Sequence, residues 1–576
     1  MKKIDRAKQA LVAYLEKVSL RLSQQQAPLV LCLLGIATGI VSGLVMVAFR
    51  LVIMVSPALF LATDYLLSPM WRLLLPIVGG VLLGRWLEKL ADGDRDVGVV
   101  HLMRHLAYHE GHLPLKNAWV QFLGVAACIG AGHSVGHEGP SAHIGGTSGS
   151  WIGQYLRLPN NSIRVLVGCG VAGGIAAAFN MPLAGVVFAM EVMVIEYTLA
   201  GFIPIILAGV SASTIYQVVF GSAPIFVAPD FGLRSLGELF NIVLLGIIMG
   251  ILASLFVHLL AFFTTYSKKY PVRQRMLVVG IVTGVLAMLV PEIMGVGYGT
   301  VNAALMGNLG LELMLAIVFC KLLATTFGLG LGLPGGLIGP TLVIGSAAGG
   351  VLGTLFYAYA EEGTWHTFYA MLGMGAMMGA ALNAPLAALT ALLEMTGNHN
   401  VIMPGMLAIV AATLTSNIGF RNPSVFVKLL QAQGLNYRSD PITQFLRGFG
   451  VTGTMDGKVQ EAPRQVTRER LDELLATPST WLLVHGEGGG SKILFTADLV
   501  RYLEKAPEEE ALDLFELPVH VLDAESISAQ ATLLGALQQM DKKGLDALYV
   551  MQPRNRRIVG VITRKSIERT YRYQAN

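Results

Sequence analysis

The sequence predicts an all-α polytopic membrane protein, built as an inverted repeat of broken, tilted helices and followed by a soluble α/β domain. Three observations carry that prediction. Of 576 residues, 54% are hydrophobic and only 14% are charged, against about 25% charged in soluble domains. Two apolar segments echo each other, NMPLAGVVFAMEVM from Asn180 and NAPLAALTALLEMTG from Asn383. From about Arg438 onward charges become dense, and short apolar runs alternate with polar, helix-like ones.

That composition excludes a disordered chain, a collagen-like repeat and a cytosolic enzyme. A net charge of +4 over this length gives no basis for a nucleic-acid partner. The 66 glycines exceed the average share of about 7%, and small residues let membrane helices approach closely. Cys32, Cys128, Cys169 and Cys320 all sit in apolar segments and are expected as small core residues, with no disulfide and no metal site. Residues 1–27 are polar for too long to be a cleaved signal peptide. They are expected as a basic amphipathic helix, which their Lys and Arg excess places in the cytoplasm.

Taken in order, the stretches without charge are 22–49, 118–137, 165–190, 197–229, 239–267, 277–291, 322–360, 364–393 and 395–420. A crossing needs about 20 apolar residues, so several of these hold two helices. Gly and Pro interrupt them at GHEGPSAHIGG (136–146), GGIAAAFNMPLAG (173–185), GLPGGLIGP (332–340) and GAALNAPLAAL (379–389). A broken helix survives in lipid only where its freed backbone groups are buried in protein or line a hydrated cavity. Paired breaks in corresponding places of two halves, about 28–222 and 237–435, mark an inverted-repeat transporter with its site near the bilayer midplane.

The tail, 440–576, is expected as one cytoplasmic α/β domain. Gly488, Gly489 and Gly490, then Pro553, Arg554 and Asn555, are turn signals between strand-like runs.

Three enzyme-like patterns fail on context, and no catalytic residue is expected. Gly132-His133-Ser134-Val135-Gly136 fits a nucleophile elbow, but that motif needs a preceding strand of a soluble sheet. His137-Glu138 and His143 are spaced six apart where zinc-binding histidines on a helix are four apart. Gly486 to Lys492 lacks the ending of a phosphate loop, and a hairpin turn accounts for it.

The sharper pattern is Gly136-His137-Glu138-Gly139-Pro140 beside Gly335-Gly336-Leu337-Ile338-Gly339-Pro340. Each places glycines and a proline at the start of an intramembrane helix. A helix start has four unsatisfied N–H groups and about half a positive charge. Two such starts converging would hold an anion without any lysine to trap it. Glu138 is then a carboxylate competing for the same amides, and an intramembrane acid is functional by default.

In these motifs the chain resembles the CLC chloride channel/transporter family over about residues 28–435. The resemblance rests on GHEGP at 136–140, GGLIGP at 335–340 and the paired NMPLAG and NAPLAA segments. It implies a homodimer with one anion pathway per subunit, in a prokaryotic inner (plasma) membrane, with both termini cytoplasmic. It implies Glu138 as the gate, and the backbone amides of His137, Glu138, Gly139, Leu337 and Ile338 as anion donors. The tail resembles a degenerate pair of CBS modules. The second is carried by Ile558-Val559-Gly560-Val561-Ile562-Thr563, while Ser566 stands where nucleotide-binding pairs place an Asp. No cofactor is expected, and ATP or AMP at the tail is not.

The chain departs from the family's pattern at four places. Val97 stands at the central-site serine, Phe426 at the pore tyrosine, His137 at the basic residue before the gate, and Val192 at the inner proton-relaying glutamate. Two lost hydroxyls leave the central site to backbone amides. With Val192 in place, only Glu191 and Glu196 remain nearby as a substitute proton route. The expected activity is therefore transmembrane chloride transport by a glutamate-gated, voltage-gated-type channel or a weakly coupled anion transporter. Proton-coupled chloride antiport is the second reading, and a membrane sensor of anions or nucleotides with little flux is the third.

Overall fold

The computed structural model describes residues 28–61, 69–193, 199–226, 236–357, 365–435, 441–486, 490–504, 511–553 and 556–574. The expected helix within 1–27 lies outside them. The chain separates into two compact units: one of residues 32–152 and 164–438, the other gathering 439–576 with 153–163 and the N-terminal residues.

In the first unit the helices of one half recur in the same order in the other, apart from the short Asp92–Arg95, which meets a 3₁₀ turn at Pro291–Ile293, and the closing helix Val425–Ala432. The first half runs α1 (Pro28–Leu61), α2 (Pro69–Glu88), α3 (Asp92–Arg95), α4 (Gly98–Tyr108), α5 (Leu115–Gly130), α6 (Glu138–Tyr155), α7 (Asn160–Phe179), α8 (Pro182–Glu191) and α9 (Leu199–Phe220). The second runs α10 (Glu238–Ser267), α11 (Val272–Leu289), α12 (Tyr298–Leu305), α13 (Leu311–Gly330), α14 (Ile338–Phe356), α15 (Trp365–Leu382), α16 (Pro385–Thr396) and α17 (Ile402–Leu414). A π turn continues α17 through Gly419, and α18 (Val425–Ala432) closes the unit. Among the described residues, nine helical segments are long and apolar enough to cross a membrane, and α8 and α16 are shorter apolar helices.

The predicted breaks are where the helices stop. The 165–190 stretch divides at Asn180, whose φ of 54° ends α7, and 364–393 divides at Asn383, with φ of 53°. Asn is one of the few side chains that enters the left-handed region at low cost, and Pro182 or Pro385 then starts the next helix. Two helices departed from the charge-free windows. α1 runs on past Arg50, because that guanidinium lies 4.8 Å from the Tyr216 and Phe220 ring centroids and donates to the Tyr216 hydroxyl. α2 escaped detection because Arg72 and Arg85 interrupt its apolar run.

Close glycine contacts hold each half together. A Cβ on Gly145 would lie 2.2 Å from the Gly170 carbonyl oxygen, and one on Gly345 2.4 Å from that of Gly373. α6 on α7 and α14 on α15 are thus packed backbone against backbone, as small residues permit.

The tail's sheet has the order β1-β3-β4-β6-β7-β8, from β1 (Val459–Ala462), β3 (Trp481–His485), β4 (Ser491–Phe495), β6 (Val521–Ser528), β7 (Ala547–Met551) and β8 (Ile558–Thr563). The short β2 (Gln465–Thr467) and β5 (Ala511–Asp513) pair separately. β1/β3 is parallel and β3/β4 antiparallel; β6/β7 is parallel and β7/β8 antiparallel. With α20 (Arg468–Ala476), α21 (Thr496–Leu503), α22 (Leu533–Lys543) and α23 (Arg564–Gln574), this is a strand–helix–strand–strand–helix order written twice. α19 (Pro441–Gly448) precedes both copies. The Gly486 region is a hairpin turn, as its composition implied, with Gly486 N–H donating to Gly490 O. Residues 487–489 and 554–555, which hold the other turn glycines and Arg554 and Asn555, lie outside the described residues.

Candidate functional site

The two glycine-rich breaks face each other. Gly136 N–H donates to Gly336 O at 2.7 Å, and Gly336 N–H donates back to Gly136 O at 2.7 Å. This two-bond bridge brings the first turns of α6 and α14 together. The approach is prepared identically on both sides. Gly132 and Gly332, with φ of 78° and 96°, turn the chain at the ends of α5 and α13. Ser134 Oγ and Thr325 Oγ1 then pair at 2.9 Å, which occupies the serine of the elbow-like pattern, while the His133 ring is buried without a hydrogen-bond partner.

Glu138 is 1% exposed and lies across both helix starts. A Cβ on Gly136 would stand 2.0 Å from its Oε2, and a Cβ on Gly339 2.6 Å from its Oε1. Glycine at both positions therefore makes room for the carboxylate. Tyr298 O–H donates to Glu138 Oε1 at 2.7 Å, and Oε2 has no partner. The His137 ring stacks on Phe179 at 5.1 Å and meets the Tyr298 ring edge-on at 5.7 Å. Ile338 occupies in the second repeat the place of Glu138 in the first, so the paired geometry carries a single acid.

On one side of this point is a cavity of about 480 Å³. Val97, Gly98, Gly139, Leu337, Ile338 and Phe426 line it together, with Arg95, Arg104, Lys268 and Arg275 around it. The residues matched to the family's central site thus converge from four separate segments, and neither Val97 nor Phe426 offers a hydroxyl. On the other side Glu138 lines a cavity of about 30 Å³ whose remaining walls are apolar, Ile338 again among them. Ile338 lines both cavities, and Gly139, the residue after Glu138, lines the larger.

Two participants were missed from the sequence. Tyr298 was one; the sequence signal was the Val-Gly pair at 97–98 repeated at 296–297, just ahead of α4 and α12, with Gly98 and Gly297 both at positive φ. Lys321 was the other. It is fully buried on α13, and its Nζ donates to Ile293 O and Gly295 O at 2.8 Å each, holding the loop that leads into Tyr298. A basic residue in the middle of an apolar helix was the signal.

Among the residues considered for proton transfer, Glu191 is engaged elsewhere. Its carboxylate accepts from Leu386 N–H at 3.2 Å and Ala387 N–H at 2.7 Å, at the start of α16. Glu394 does the same for α8, accepting from Leu183 and Ala184 at 3.0 and 2.7 Å. Val192 is 6% exposed at the end of α8. Glu196 lies outside the described residues.

Broken, inverted helices that meet head to head around one acid define a membrane transport protein for small anions. The chain belongs to the voltage-gated chloride channel (CLC) family, whose model matches residues 79–417. It is 32% identical over 373 residues to a ClcB-like chloride channel protein of Ralstonia nicotianae, covering 63% of this chain and 86% of that one. It is 29% identical to the H(+)/Cl(-) exchange transporter ClcA of Vibrio cholerae, covering 69% and 88%. A crystal structure of a eukaryotic CLC transporter superposes with a TM-score of 0.61 over 93% of this chain and 97% of that one, at 18% identity. That last likeness is one of fold.

Proposed function

We propose that this protein moves chloride through the meeting point of α6 and α14 in exchange for protons, with Glu138 as the gate. The observation that supports it is the position of the Glu138 carboxylate, lodged where the two helix starts would hold an anion. Ionised, it occupies the place of the transported ion. Protonated, it loses most of its attraction to the amides and leaves the place to chloride. A gate that opens by taking a proton links the two fluxes. The name of the Vibrio cholerae relative supports exchange over the channel expected from the sequence. Val192 favours the second reading, passive conduction, because it removes the usual inner acid.

His137, Gly139, Leu337 and Ile338 supply the backbone around the anion. Val97 and Phe426 form the inner wall of its path. The basic residues around the larger cavity raise the local anion concentration. The protein works as a homodimer with one pathway per subunit in a prokaryotic plasma membrane, with the tail in the cytoplasm. The tail is a CBS-like pair in a structural role. Thr563 and Ser566 cap α23 reciprocally, each side-chain oxygen accepting from the other's N–H at 3.2 Å. Ser566 is thereby committed to the helix.

Reversal potentials in proteoliposomes under crossed chloride and proton gradients test the reading. A reversal displaced from the chloride equilibrium value supports exchange; one lying on that value overturns it.

A further inference from the structure

α4 carries His101 and His105, and His109 follows as the residue that ends the helix; residues four apart on a helix share a face. Their rings form a continuous column. The His101 and His105 centroids are 4.3 Å apart and those of His105 and His109 are 4.5 Å apart. A fourth ring continues it from α6, with His101 Nδ1 and His143 Nε2 at 3.0 Å. Exposure falls along the column, from exposed His109 through His105 at 9% and His101 at 4% to His143 at 0%. His101 is also part of the wall of the 480 Å³ cavity, together with Gly139, the residue after the gate.

The hydrogen bonds fix how these rings can work. His105 Nδ1 donates to His112 O at 2.6 Å, so in the neutral ring its Nε2 carries the lone pair. His101 and His143 share one proton between facing nitrogens, and the far nitrogen of His143, Nδ1, is buried without a partner. Among the described residues no group of three His, Cys, Asp or Glu is placed to hold a metal ion. The charged neighbours are Arg104 and Asp96, which pair at 2.8 Å. From α7, Arg164 donates to Leu106 O, and α18, which packs on α4, carries Lys428.

We infer that His109, His105 and His101, with His143 as the buried partner, relay protons between the exposed end of α4 and the cavity beside the gate. This replaces the inner acid that Val192 lacks. The inference rests on the exchange reading above. Each step moves one proton and nothing else. At His105, whose Nδ1–H stays on His112 O, the proton is taken up on Nε2 and given up again from Nε2 to water or the next ring, one N–H bond forming and the same one breaking. At His101 the N–H bond that breaks is replaced by an O–H bond on water in the cavity, whose wall includes Gly139, next to the gate. Neither Val192 nor Glu191 lines the 30 Å³ cavity at Glu138, whose other walls are apolar, and a water there would lack the two to four partners it needs.

The test is simultaneous measurement of chloride and proton flux in proteoliposomes for the wild type, His105→Gln and His101→Gln. His105 lies off the cavity wall. His105→Gln is expected to lower proton flux at least tenfold while chloride flux stays within about twofold. If His105→Gln does not give a monodisperse protein, His101→Gln, which keeps a side chain able to bond His143 but cannot relay, carries the test on the proton-to-chloride ratio. Wild-type stoichiometry in both variants overturns the relay and leaves exchange standing. A wild type that moves no protons overturns both.

Discussion

Glu191 and Glu394 each cap the helix that belongs to the other's half of the molecule. Glu191 sits at the end of α8 and binds the first amides of α16; Glu394 sits on α16 and binds the first amides of α8. The Pro at each helix start removes one orphan N–H, and the opposite acid satisfies two more. The echo of NMPLAG and NAPLAA is therefore a mutual contact as well as a repeat.

Each cap joins two charge-assisted hydrogen bonds to a favourable helix dipole. Glu394→Ala is expected to cost about 1–2 kcal/mol, read as a lower Tm in detergent. Glu394→Gln, which keeps an acceptor, should lose less. A Tm unchanged in both variants would show that the carboxylate's charge and hydrogen bonds contribute nothing.

Tyr298 is the one donor on the gate among the described hydrogen bonds. A hydrogen bond to a charged group contributes about 1.5–3 kcal/mol, so Tyr298→Phe should loosen the closed position and raise chloride flux several-fold. Glu138→Gln should remove proton coupling altogether. Unchanged flux in Tyr298→Phe would mean that the carboxylate leaves without breaking that bond.

Val97 and Phe426 present hydrocarbon to the cavity. Val97→Ser and Phe426→Tyr each add a hydroxyl able to donate to chloride. Each is expected to tighten chloride binding by about 1.5 kcal/mol or more, at least tenfold in Kd by calorimetry. No change in either variant would place the bound ion away from this wall.

Lys321→Met would leave the carbonyls of Ile293 and Gly295 without their donor. Each orphaned buried group costs about 1–3 kcal/mol. The expected results are a lower Tm and, because that loop leads into Tyr298, a gate that responds less sharply to proton concentration. A Tm within error of wild type would show that the lysine does not anchor the loop.

The sequence shows what is written locally. Spans, breaks, the paired glycine motifs and the change of character near residue 438 all depend on composition and short spacing. What it does not show depends on contacts between distant segments. Arg50 does not end α1, because aromatic rings of α9 cover it. α2 was hidden by two arginines and α4 by its mixed polarity. Glu191 reads as a candidate proton carrier until the amides of α16, nearly two hundred residues on, claim it. Tyr298 touches the gate through a turn whose only local sign is a Val-Gly pair.

The bridge between Gly136 and Gly336 limits how this machine can move. Prising the halves apart at that depth would break both backbone bonds at once. A clamshell cycle, in which whole lobes tilt to show the cargo first to one face and then to the other, is thus obstructed at its own fulcrum. The stroke has to be small, a few ångströms of one acid and the ring that holds it, while the scaffold stays still.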